Sequence, residues 1–280
     1  MAALKLYNLL CCSQTISKIY LHNGIPRYMS NPLNVSLRNG GKGGNKKNRG
    51  NEQNKRINKI MTWNIQELFW YSNKSKMERI AQYIKQSDCD VVCLQEVFEI
   101  SSLERLLYDK DIIQKYPFSI TGNMKNKYLF GENSGLFVLS NQPIRFIKYV
   151  PLIPCEIPDS FASKGIIYFK IGLHKFAVTH LQAFNEHLAE QQLRLVRDSS
   201  PFGLDFILLG DLNHSSAHTC LRCKKNNYEI TCPDSNKILD YILFLDPDRD
   251  FDMNITVGNI DIDCKSERMS DHRPVIAEFS

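Results

Sequence analysis

The feature that most restricts what this chain can fold into is a recurrence of short apolar runs, each closing on a polar or charged cluster. INKIMTWNI (57–65), DVVCLQE (90–96), SGLFVLS (134–140), residues 144–150, GIIYFKI (165–171), KFAVTH (175–180), DFILLG (205–210), LDYILFL (239–245) and PVIAEF (274–279) all have the length and β-branched content of strands. Two stretches instead follow a helical period: KMERIAQYIKQ (76–86), which puts Met77, Ile80, Ala81 and Ile84 on one face, and residues 186–198. Ser101 and Glu104 read as a capping box opening a short helix. Many strands with a few interspersed helices predict an α/β protein with more than one sheet. No internal repeat is visible.

Charge separates this body from an appendage. Residues 1–59 hold eleven basic residues against the single acid Glu52, a charge of +10; with the chain at +5, residues 60–280 carry −5. The overall basic pI of 8.6 therefore belongs to the tail and does not describe a basic nucleic-acid-binding body. Residues 39–54 (NGGKGGNKKNRGNEQN) have almost nothing to bury and read as a flexible linker. The expected division is thus a basic tail or targeting segment over 1–56, disordered in its simplest reading, and a catalytic domain over 57–280. The acid-free start is compatible with a mitochondrial-type presequence, or with a membrane-contacting tail in which Cys11-Cys12 is lipidated. Its apolar run is broken by Lys5 and Asn8, which argues against a secretory signal.

Composition sets the outer limits. With 43% hydrophobic and 23% charged residues the chain can bury a core, which excludes collagen-like, coiled-coil and wholly disordered classes. No run approaches the ~18 apolar residues of a membrane-spanning helix, so no integral span is expected. Nine scattered cysteines, an odd number in a long chain, suggest reduced thiols and a cytoplasmic protein, peripheral on membranes through the basic tail.

The polar clusters at the strand ends carry the chemistry. Asn64 closes the first run, Glu96 the second and His180 the run ending in Val-Thr-His. Asp211 and Asn213 follow Leu208-Leu209-Gly210, Asp240 opens Asp-Tyr-Ile-Leu, and Asp271-His272 precede the last run. Strand ends of packed sheets are where a rigid scaffold presents catalytic side chains. Carboxylates, amides and two histidines are the groups that hold a hard divalent ion and handle a phosphate. Each cluster alone is as well read as a solvated strand end, a turn or a structural histidine; their ordered co-occurrence is the signal.

The series TWNIQ, DVVCLQEV, VTHLQA, LLGDLN, LDYIL and MSDHRPV resembles the endonuclease/exonuclease/phosphatase superfamily, metal-dependent phosphodiesterases of the DNase-I-like fold, over the whole chain after the tail. The loop Asp159-Ser-Phe-Ala-Ser-Lys164-Gly, together with His180-Leu-Gln-Ala and CPDSNKILDYILF (232–244), is most similar to neutral sphingomyelinases. The resemblance implies a four-layer α/β sandwich of two mixed β-sheets flanked by helices. It also implies Mg2+-dependent hydrolysis of sphingomyelin to ceramide and phosphocholine, with Mn2+ as a substitute metal and a phospholipid at a membrane surface as partner. Two alternatives are a nuclease of the same superfamily acting on nucleic acid, and an inactive relative serving as a membrane- or protein-binding module.

The implied roles follow residue by residue. Glu96 would hold the metal, with Asn64 and Asp271 beside it. His272 would be the general base, its tautomer fixed by Asp240. His180 would donate to a phosphoryl oxygen, Asn213 would bind the same phosphate, and Asp211 would position water or hold a proton. Lys164 would bring positive charge to the substrate phosphate, and Asp159 with Lys164 would form a regulatory or substrate loop. Three further signals are weaker. Cys220-x-x-Cys223 with Cys232, His214 and His218 offers a zinc reading. Asp246, Asp248 and Asp250 begin like a calcium loop but lack its later positions. Residues 245–269 are acidic, with Phe251 as their one aromatic, which disfavours membrane insertion there.

Overall fold

The computed structural model describes residues 18–21, 27–28, 56–68, 74–122, 133–223, 229–246, 253–260 and 268–279. The linker 39–54, Cys11-Cys12, Phe251 and the calcium-loop residues Asp248 and Asp250 lie outside the described residues.

Thirteen strands form two mixed sheets. The first takes β1 (Lys18–Leu21), β2 (Arg27–Tyr28), β3 (Lys59–Glu67), β4 (Val91–Val97), β5 (Phe118–Thr121) and β6 (Phe137–Ser140). The second is built from β7 (Ile144–Pro151), β8 (Gly165–Ile171), β9 (His174–His180), β10 (Ile207–Asp211) and β11 (Asp240–Phe244). The chain then returns to the first sheet with β12 (Met253–Val257) and β13 (Val275–Phe279). The orders are β12-β13-β3-β4-β6-β5-β1-β2 and β11-β10-β9-β8-β7, so six strands of the body, extended by two short ones from the N-terminal segment, face a five-stranded sheet. The parallel pairs, β3 with β4 and β9 with β10, lie near the middle of their sheets.

Alternation of side chains explains the layers. In β4, Val91 and Cys93 enter the core between the sheets, whereas Val92 and Leu94 enter a second core under helices. Such strands are buried on both faces, which is why they read as nearly continuous apolar runs. The inter-sheet core joins Ile60, Cys93 and Val138 of the first sheet to Phe169, Val178, Leu209 and Ile242 of the second. Helix α1 (Lys74–Gln86) seals the outer face of the first sheet with Met77, Ile80, Ala81 and Ile84, the predicted face; α2 (Ile100–Tyr108) and α3 (Lys110–Lys115) complete that layer. Helix α4 (Glu186–Asp198) and the short α5 (Ala217–Cys220) cover the second sheet. Helices, sheet, sheet and helices make the four-layer sandwich of the DNase-I-like class.

The Ser101–Glu104 capping box does not form. Helix α2 starts at Ile100 with Glu99 as its N-cap and no side-chain cap bond, so Ser101 already lies inside the first turn. Among the described residues no helix is long and apolar enough to cross a membrane.

Candidate active site

Strand register builds half of the site. His180 pairs with Asp211 across β9 and β10, and Asp211 pairs with Asp240 across β10 and β11, so three polar residues form one row at a sheet end. Each has the parity of a residue in the inter-sheet core: Val178, Leu209 and Ile242 respectively. All three therefore face the other sheet, where Asn64 lies four positions beyond Ile60 on β3.

Glu96 needs a special device. By parity with Val92 and Leu94 it would point toward the helices. Between Asn64 and Glu67 the β3–β4 register slips, and here Gln66 and Glu96 both take left-handed backbone, φ 50° and 56°. Such a bulge turns a strand and re-aims a side chain. The result is an Asn64 Nδ2 donor 2.9 Å from Glu96 Oε1 and 3.0 Å from Asp211 Oδ2, which ties the two sheets together. Asn213, also left-handed at φ 47°, donates Nδ2 to Leu181 O at 3.1 Å, while its N–H donates to Asp211 Oδ1 at 3.0 Å. Three strained non-glycine residues in one place mark where the fold is spent on geometry.

The remaining groups close around Asp211. His180 Nε2 lies 3.5 Å from Asp211 Oδ2 and 3.8 Å from Glu96 Oε1, and His272 Nε2 lies 3.9 Å from Asp211 Oδ2. His272 Nδ1 is 2.7 Å from Asp240 Oδ2, the buried orienting bond expected of that pair. Asp271 stands at the rim, accepting a 2.8 Å bond from Gln66 Nε2. Lys164 is buried, its Nζ 2.8 Å from Asp159 Oδ1 and 2.7 Å from Leu181 O; Asp159 Oδ2 in turn accepts from Ala183 N. Every predicted site residue thus lies in this cleft or its immediate wall.

Electrostatics sort the groups. Burial, followed by the nearby Lys164 and His272 charges, holds His180 well below the ordinary histidine range, so it is neutral. Its Nδ1 is buried without a hydrogen-bond partner. Burial also pushes His272 down, but the carboxylates of Asp240 and Asp211 outweigh it and hold that imidazole well above its usual value. Burial, reinforced by Asp240, lifts the Asp211 carboxyl. Glu96 is lifted chiefly by burial, with Asp271 adding to the effect against the Asn64 hydrogen bond.

These donors fit a hard divalent cation. Glu96 and Asp271 offer oxygen only, and desolvation with mutual repulsion leaves their charge in need of a counter-ion. Among the described residues Asp211, Asp240 and His272 form the one group of three metal-capable side chains with donor atoms within 4.8 Å of one another. Asp240 is already committed to His272 Nδ1, so that trio is better described as a hydrogen-bonded dyad with an adjoining acid. The zinc reading fails: Cys220 Sγ reaches His214 Nε2 at 3.7 Å, but Cys223 turns to Leu221 O, and among the described residues these cysteines and histidines form no group of three metal-capable side chains.

Several participants were missed in the sequence. Trp63 Nε1 donates to His272 O at 3.0 Å, and Ser270 Oγ donates to Asn64 O at 2.6 Å while accepting His272 N. Thr231 O accepts Arg273 N, and its Oγ1 accepts the N–H groups of Leu239 and Asp240, clamping both halves of the dyad. Beneath Gln66, Lys76 forms a buried ion pair with Glu67 at 3.1 Å. The one available signal was Glu67 itself, an acid closing an apolar run as Glu96 does.

Comparison with known proteins agrees with this fold. Beta toxin from Staphylococcus aureus, as a double mutant with bound magnesium ions, superposes with a TM-score of 0.63 at 20% identity, over 80% of this chain and 100% of that one. Sphingomyelinase C from Streptomyces griseocarneus gives 0.63 at 21%, over 81% and 100%. TDP2 of D. rerio complexed with a single-strand DNA product gives 0.56 at 16%, over 81% and 100%. At these identities the likeness is one of fold. No curated protein matches the chain in sequence. The model of the Endonuclease/Exonuclease/phosphatase family matches residues 61–244, from the strand that carries Asn64 through the strand that carries Asp240. The row of strand-end residues and the matched span agree, and the chain belongs to the endonuclease/exonuclease/phosphatase family.

Proposed function

We propose that the protein is a Mg2+-dependent phosphodiesterase that hydrolyses sphingomyelin to ceramide and phosphocholine. The observation that carries the reaction class is the convergence of Glu96, His180, Asp211 and the His272–Asp240 dyad within a few ångströms, from strands far apart in sequence. The lipid substrate is supported by the likeness of the Asp159–Lys164 loop to that of neutral sphingomyelinases, its Lys164 bonded to Leu181 O beside His180, and by fold neighbours that include a named sphingomyelinase.

Glu96 and Asp271 would hold the cation, with Mn2+ an adequate substitute, and Asn64 fixes the Glu96 carboxylate through its amide N–H. When bound, the cation supplies charge neutralisation at the phosphoryl and leaving oxygens. Neutral His180 donates a hydrogen bond to a phosphoryl oxygen without adding charge of its own. Asn213, held in left-handed backbone, presents its side chain to the same phosphate. Asp211 orients the attacking water between the two imidazoles. His272 would take the proton at Nε2 from its deprotonated form, which its raised pKa places on the alkaline side of the ordinary histidine range, so turnover should rise with pH through that range; Asp240 keeps Nδ1 protonated and stabilises the imidazolium that forms.

The test is direct. Purified protein with Mg2+ is given labelled sphingomyelin, abasic-site DNA and an inositol polyphosphate in separate reactions. Release of phosphocholine that a chelator abolishes is the expected result. Cleavage of DNA alone would transfer the assignment to the nuclease reading, which the body charge of −5 disfavours.

A further inference from the structure

Of the eight large apolar side chains that stand exposed among the described residues, four lie on two hydrogen-bonded segments, one of which follows His180: Ile153 at 49%, Ile157 at 76%, Phe161 at 56% and Phe184 at 93%. They come from two segments, the β7–β8 connection and the turn after β9, which hydrogen bonds join into one platform. Glu156 N donates to Gln182 Oε1 at 2.8 Å, Asn185 Nδ2 to Glu156 Oε2 at 3.0 Å, and Ala183 N to Asp159 Oδ2. Buried Gln192 adds a brace, donating Nε2 to Pro154 O at 2.9 Å and accepting Gln182 N at 2.8 Å. Phe184 is held at φ 61°, a left-handed conformation uncommon for an aromatic residue, and its ring packs on nothing that would repay that cost.

The platform adjoins the reaction centre. Leu181, the residue after His180, accepts hydrogen bonds from both Lys164 Nζ and Asn213 Nδ2, and Phe184 follows three residues later, within about 11 Å along the chain. Within the platform Asp159 and Lys164 neutralise each other, and Glu156, hydrogen-bonded to Asn185, is the carboxylate that stays at the surface. Side chains this exposed stand out from the surface, where a peptide groove would enclose them. Apolar tips on a braced lip whose one surface carboxylate can stay in the headgroup water suit insertion into the interface of a lipid layer.

We propose that Ile153, Ile157, Phe161 and Phe184 form a membrane-docking lip that seats the cleft on a zwitterionic lipid surface. The proposal rests on the lipid-substrate reading above and adds the surface by which that substrate is reached. It differs from attachment through the basic tail, which needs anionic lipid and weakens in salt. Docking by the lip needs neither anionic lipid nor low salt.

The experiment is sedimentation of the full chain with phosphatidylcholine–sphingomyelin vesicles in chelator and high salt. Wild-type protein co-sediments. Phe184→Ser lowers partitioning about tenfold, the scale of one buried aromatic side chain, and Phe161→Ser/Phe184→Ser lowers it further. Leu173→Ser, an equally exposed site in the turn at the other end of β8 and β9, leaves it unchanged. Thermal melts confirm that each variant is folded, and turnover of a water-soluble phosphodiester stays at the wild-type level in Phe184→Ser. Absence of wild-type binding, equal binding by the double variant, or an equal loss in Leu173→Ser overturns the proposal. The two readings fail separately. Lip-dependent binding with no phosphocholine released from vesicles or detergent micelles defeats only the substrate assignment, whereas release from micelles with lip-independent binding defeats only the docking surface.

Discussion

Asp240 is fully buried, and its 2.7 Å bond to His272 Nδ1 decides which imidazole nitrogen faces the cleft. Asp240→Asn keeps the shape but can favour the wrong tautomer, so kcat should fall by about 10²–10⁴-fold with the fold intact. Steady-state kinetics beside circular dichroism check this, and His272→Ala should match or exceed the loss. Glu96→Ala should raise the Mg2+ concentration needed for half-maximal turnover; an unaltered metal titration would contradict its place as a ligand. The Lys76–Glu67 pair makes a different demand. Lys76 is pushed down by burial and held up by Glu67, so Lys76→Met leaves a buried carboxylate without its counter-ion, still bonded by Ser102 Oγ, and should cost about 3–5 kcal/mol in denaturant unfolding. At this scale the sequence was legible where a residue's chemistry announces itself, as with Glu96, His180 and His272. It was silent on Trp63, Gln66 and Thr231, whose parts consist of bonds to residues far away in sequence.

At the element scale, packing and legibility run together. The doubly buried strands β3, β4, β8 and β10 were readable because both faces require apolar residues, and α4 because its stripe has a clean helical period. The misses are the elements that are short or bury little. Edge strand β12 alternates between half-buried and exposed residues, β5 is four residues long, and α3 contributes one fully buried side chain, Ile112. Helix α3 is held instead by its cap, since Asp109 Oδ1 accepts from Asp111 N and Ile112 N. Asp109→Ala should destabilise the protein by about 1 kcal/mol and Asp109→Asn by much less, read from urea midpoints. Burial lifts the Asp109 carboxyl, but those N–H groups and Lys85 more than offset it, so its pKa lies below the free value of 3.8. The stabilisation is therefore present above that value and fades as pH falls through the folded pKa. Gly210, at φ 142°, shows why β10 could deliver Asp211: a Cβ there would sit 1.9 Å from Thr179 O. Gly210→Ala should open the β9–β10 ladder, lowering both the melting point and kcat.

For the whole molecule, a cation at the proposed site would link folding to metal. Mg2+ at about 100 times its Kd should stabilise the native state by roughly 2.7 kcal/mol, a shift that calorimetry should see in wild type and lose in Glu96→Ala. The α/β class with more than one sheet was legible in the strand-and-helix pattern, and the four-layer order came with the family resemblance; the bulge that turns Glu96 was not legible, since no residue type signals a register slip. The site's two halves belong to different sheets, joined at the cleft by the Asn64–Asp211 and His272–Asp240 bonds and behind it by an apolar core. The catalytic atoms therefore work like the tips of tongs whose pivot lies in that oily interior. Trimming Val178 or Phe169, neither of which touches the tips, should misalign them and reduce turnover by more than the lost stability alone accounts for.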